Sequence, residues 1–60
     1  MVVGQTVYTV NNETNEVDEW KYGGKIGLIV ILHGDKGFCC LPTRCVFETH
    51  EKALAVAEAQ

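Results

Sequence analysis

The chain has 60 residues, enough for one domain and too few for two. A chain this short buries only about 60% of the surface that its unfolded form exposes, so its core is small. Its hydrophobic content of 47% and charged content of 22% are those of a globular protein, and net charge is −3. The five basic residues, Lys21, Lys25, Lys36, Arg44 and Lys52, are scattered singly. A nucleic-acid binder needs clustered cations to displace counterions from phosphates, so direct DNA or RNA binding is not expected. The opening "MVVGQTVYTV" lacks the charged start and apolar block of a signal peptide. The longest apolar run, Ile26 to Leu32, has seven residues, whereas a membrane span needs roughly 20. A cytoplasmic protein with no membrane contact is expected, and three cysteines, an odd number, agree with reduced thiols.

In chain order, "QTVYTV" at 5–10 has the β-branched and aromatic composition of a strand. "NNETN" at 11–15 reads as a hairpin turn, because asparagine bonds its own backbone and tolerates left-handed angles. The return segment "EVDEWKY" alternates, with Trp20, Tyr22 and Asp18 on one face and Val17, Glu19 and Lys21 on the other. "GGK" at 23–25 is expected to break or sharply bend this strand. Next comes "IGLIVILH", apolar at nearly every position, with Leu28, Val30 and Leu32 pointing one way and Ile29 and Ile31 the other. It reads as a strand buried on both faces. "GDKG" at 34–37 signals a tight hairpin, and "FCCL" is its partner strand, closed by Pro42.

A short fifth strand is expected at 45–47. Beyond it the period changes. Thr49 is a plausible N-cap with Glu51 in the first turn, and Ala53, Leu54, Val56 and Ala57 form one apolar helical stripe. The expected class is therefore α+β: a small antiparallel sheet of four or five strands, SH3-like if it curls, with one C-terminal helix.

The opening "G-x-x-VY-x-V" (Gly4 to Val10), the "V-x-E" at 17–19 and the closing "VF-x-T-x-E-x-A" (Val46 to Ala53) resemble small uncharacterised proteins of bacteriophages and prophages. The resemblance covers both ends, about two thirds of the chain. It implies a small sheet with a docked helix and an origin on a mobile genetic element. It carries no catalytic residue, and the cysteine pair lies outside the pattern.

The ligand-type residues are His33, Cys39, Cys40, Cys45 and His50. Adjacent Cys39 and Cys40 on a strand point to opposite faces, so only one can join a given zinc site. A set of His33, Cys40 and Cys45, completed by His50, is the metal alternative to ordinary buried thiols, and no cofactor is expected. A redox role would need C-x-x-C or a thiolate among cations, and Arg44 is the one local cation. A Cys45–His50 nucleophilic pair would lack an orienting group, so no enzyme is expected. His50, in the first helical turn, is expected exposed or against Trp20 or Phe47.

Trp20 and Tyr22, flanked by Asp18 and Glu19, are the candidate interface. The plainer reading has Trp20 covering the edge of the core. Four of the eight carboxylates fall between Glu13 and Glu19, a charge that suits a basic protein partner. One helix covers one face of a sheet, so a doubly apolar strand also points to a curled sheet or a homodimer. The function expected is a non-catalytic, protein-binding accessory factor of phage or prophage origin that modulates a host protein. The alternative is a structural homodimer with a Cys/His metal site.

Overall fold

The computed structural model describes residues 1–35 and 37–59. Four antiparallel strands follow one another as a meander: β1 (Thr6–Asn11), β2 (Glu16–Ile26), β3 (Ile29–Gly34) and β4 (Gly37–Pro42). A 3-10 turn (Thr43–Cys45) and one helix, α1 (His50–Glu58), complete the α+β fold.

The first hairpin forms by the chemistry that its asparagines allow. Asn11 Oδ1 accepts the Glu13 N–H at 2.9 Å, its carbonyl accepts the Asn15 N–H at 2.7 Å, and Asn15 takes a φ of 58°. The glycine pair does not end β2. The strand runs through it with a bulge between Tyr22 and Gly24, where Gly24 adopts a φ of 125°. A residue without Cβ can enter that region, so an extra residue is absorbed and the strand continues.

The apolar run also differs from expectation. Gly27, at φ 61°, turns the chain, so Leu28 lies outside β3 and is 76% exposed. Within β3 only one face is buried: Val30 and Leu32 are enclosed, whereas Ile29 is 42% exposed and Ile31 half-buried. The double burial read from composition is thus corrected to single burial. Apolar residues on successive positions cannot distinguish the two cases, because the second face needs a covering layer.

Val30 and Leu32 belong to a core with Val7, Tyr22 and Val46, flanked by Trp20, Cys39 and Leu41. The ladder places these residues on one face, since Val7 faces Trp20, Leu32 faces Tyr22 and Cys39, and Val30 faces Leu41. Val46 reaches them because the chain leaves β4 at one edge of the sheet and returns to the other. There Tyr8 and Phe47 exchange backbone hydrogen bonds of 2.8 Å in each direction. This single bridge stands where a fifth strand was expected, and the 3-10 turn occupies 43–45.

Thr49 caps α1, its Oγ1 accepting the Lys52 N–H at 3.3 Å. The helix packs on β1 and β2 through Ala53 and Ala57, both buried, while Leu54 of the expected stripe is exposed. It lies on the face opposite the core. Tyr8, which alternates with Val7, meets the His50 ring edge to face at 5.5 Å, and neither buried alanine belongs to the core cluster. His50 is exposed as expected, with Tyr8 as its aromatic neighbour in place of Trp20 or Phe47. Alanine allows the close approach, and it keeps the helix footprint narrow. The outer face of β3 and β4 is left bare.

A cleft lined by Trp20 and three carboxylates

Strand β2 is longer than the strand beside it. Its pairing with β1 covers residues 16–21, but the ladder with β3 stops at Lys21 and His33. Residues 18–20 therefore have a strand on one side only. On the other side a notch opens toward the β3–β4 hairpin, and it holds a cleft of about 430 Å³. Asp18, Glu19 and Trp20 line it from β2, and Asp35 and Phe38 from the hairpin, with Gly34 and Gly37 as its glycine floor.

Trp20 is fixed on two sides. Its indole Nε1 donates to Thr9 Oγ1 at 2.9 Å, across the β1–β2 pair. Thr9 is itself buried, so this bond satisfies a hydroxyl that would otherwise be costly to enclose. The benzo edge of the indole lies over Gly34. A Cβ at that position would stand 2.9 Å from Cε3 and Cζ3, closer than any side chain tolerates. Glycine at 34 is thus a seat for the ring as well as a turn residue. Trp20 is half-buried in consequence, one surface against the core and the rest in the cleft.

The electrostatics are one-signed. Asp18 and Glu19 are exposed, and Asp35 brings a third carboxylate from the hairpin. Among the described residues none of the three enters an ion pair. Lys21, the nearest basic residue along β2, donates its Nζ to Thr6 Oγ1 at 2.6 Å. Two aromatic rings within a rim of carboxylates can hold a guanidinium or ammonium group, by charge pairing at the rim and by cation–π contact. The described lining contains no thiol, hydroxyl or imidazole that could act as a nucleophile.

Three of the four residues singled out from the sequence, Asp18, Glu19 and Trp20, meet in this cleft. Tyr22 does not. It is 8% exposed and sits in the core opposite Leu32, so it supports the strand from beneath and presents little to a partner. Asp35 and Phe38 were not among the candidates, although the signal was present. "GDKG" fixes a tight hairpin next to Phe38, and its glycines leave space that an indole from a neighbouring strand can fill. What the sequence lacked was the register placing Trp20 beside that hairpin. Lys36, in the same hairpin, lies outside the described residues.

The cysteine and histidine residues do not converge. His33 and Cys40 project from the outer face of β3 and β4, facing Phe38 and Ile31 respectively. Cys45 sits in the 3-10 turn, where it lines a shallow hollow of about 150 Å³ with Val10, Phe47 and Val56. Cys39 points to the core side, and burial raises its thiol pKa, with Cys40 and Asp18 adding to the effect. Among the described residues no three metal-type side chains gather, and all three thiols are free. Nor is any described helix long and apolar enough to cross a membrane. No family model, no curated protein and no solved structure matches the chain.

Proposed function

We propose that this protein is a non-catalytic binding module that captures a basic segment of a partner protein in the Trp20 cleft. The observation that carries this reading is the meeting of Asp18, Glu19 and Asp35 around the Trp20 and Phe38 rings. The partner side chain best suited to that setting is arginine, whose flat guanidinium pairs with carboxylates and stacks on an indole. The unpaired side of β2 at 18–20 adds main-chain donors and acceptors along which an extended segment can lie. The resemblance of its end motifs to phage and prophage proteins supports a factor carried on a mobile genetic element and acting on a host protein in the cytoplasm. Val46 beneath the sheet and the Tyr8–Phe47 bridge support the curled, SH3-like version of the fold. A homodimer built around a Cys/His metal site has less support, because His33 and Cys40 lie on one face and Cys45 at the other edge.

The chain has a single tryptophan, so its fluorescence reports the cleft directly. Titration with an arginine-rich peptide should change Trp20 emission, and salt should weaken the response. Asp18→Asn and Glu19→Gln should each weaken binding by roughly two- to fivefold, as for exposed charge pairs. Equal affinity for an acidic peptide of the same length, or no response to either peptide, rejects the reading.

A further inference from the structure

Among the described residues, the outer face of β3 and β4 carries apolar side chains that no other element covers. Cross-strand pairing places Ile26 beside Ile29, and Ile31 beside Cys40, with Phe38 next along β4 and Leu28 at the adjoining turn. Ile26 is 73% exposed and Phe38 71%. Together these side chains leave on the order of 500 Å² of apolar surface in water, the upper range for a monomer. We infer that this face is a homodimer interface, on which a second copy of the chain packs sheet against sheet.

Three observations favour a second copy over an unrelated protein. First, the face carries no carboxylate, and the cation at its margin, Lys21 opposite His33, turns its Nζ away to Thr6 Oγ1 on β1. In a two-fold contact each patch meets its own image, so any charge would approach its like. The eight carboxylates lie at 13–19, at 48–58 and at Asp35, leaving Ile29, Ile31, Phe38 and Cys40 clear. His33 is the single titratable group among the outward β3 side chains. Two chains of net charge −3 can therefore approach here without local repulsion. Second, the core within one chain is thin. Leu32, Val7 and Val30 are its largest fully buried side chains, and small domains commonly supplement such a core with a partner chain. Third, the area fits. About 500 Å² from each copy gives roughly 1,000 Å² in all, the threshold for a specific interface. Stacked sheets about 10 Å apart would let Ile29 and Ile31 of each copy interdigitate, forming a second core. Phe38 also lines the cleft, so the two surfaces meet at that ring, while Ile26, Ile29, Ile31 and Cys40 lie outside it.

Native mass spectrometry and light scattering of the intact chain test it, beside maleimide labelling of Cys40. The wild type should be a dimer, and its Cys40 should label more slowly in concentrated than in dilute protein. Ile29→Lys and Cys40→Lys should each give a monomer with native Trp20 emission, the dimer dissociation constant rising on the order of a hundredfold or more, since a charge would be enclosed without a partner. If either variant fails to fold, Leu28→Lys, at an exposed turn, should still weaken the dimer. A wild type that stays monomeric at high concentration overturns the inference and assigns the face to another protein. A dimer that survives all of these substitutions overturns it as well.

Discussion

The outer face of the sheet is built in two halves with different fates. Over β1 and β2 it carries Tyr8 and Val10, and α1 lies on it through Ala53 and Ala57. Over β3 and β4 it carries Ile29, Ile31, Cys40 and Phe38, and none of the described residues forms a layer over it. The covered half is the less apolar of the two. Helix placement is therefore not decided by which surface has most to bury. It follows the connection: the Tyr8–Phe47 bridge anchors the chain beside β1, and the nine-residue helix that starts three residues later packs on β1 and β2. The stronger apolar face is left exposed.

The two sides of β3 should differ most in what a truncation costs. Leu32→Ala should cost about 2–5 kcal/mol, because it opens a cavity in a core with few members. That loss approaches the whole stability of a domain of this size. Ile29→Ala, three residues earlier on the outer face, should cost less than about 1 kcal/mol in dilute protein. Denaturant titration of both variants decides; equal losses would mean that the outer face is as buried as the inner.

Gly34→Ala comes next in size. The new methyl displaces the indole, and overpacking of this kind costs typically about 1–3 kcal/mol. Trp20 emission should shift to the red as the ring leaves its seat, and peptide binding should fall with it. A stable variant with unchanged emission would refute the account of how Trp20 is held. On the covered half, Thr49→Ala should lose about 1 kcal/mol by removing the helix cap, and Thr49→Asp should restore most of it. The smallest effect concerns the thiols. Burial raises the Cys39 pKa, so at a given pH it holds less thiolate than an ordinary cysteine. In dilute protein, mass spectrometry after brief alkylation should find Cys40 modified first, and Cys39 only as the pH is raised.

Much of the local structure was legible in the sequence because it rests on nearest-neighbour chemistry. Asn11 and Asn15 make their turn with their own backbone, Thr49 caps its helix, and β-branched residues mark β1 and β3. What was not legible depended on register and layering. Gly23 and Gly24 read as a break or a sharp bend because composition cannot show that a bulge preserves both flanking ladders. Leu28 read as core because the turn at Gly27 was hidden inside an apolar run. In the site, the pattern of Asp18, Glu19 and Trp20 was visible on a single strand. Tyr22, two residues beyond Trp20, shares the face of Asp18 and Trp20 but falls under the sheet instead of beside the notch, since β3 is paired from Lys21 onward. Asp35 and Phe38 enter through a hairpin fifteen or more residues away, and no local signal links them to Trp20.

The central claim is that charge recognition at residues 18–20 and apolar association at Ile29, Ile31 and Cys40 have separate centres, with Phe38 bordering both. Amide chemical-shift mapping with the arginine-rich peptide tests that claim most directly. The account predicts shifts concentrated at residues 18–20, 34, 35 and 37, with the amides of Ile29, Ile31 and Cys40 unmoved. Shifts centred on Ile29, Ile31 and Cys40, with residues 18–20 silent, would contradict it.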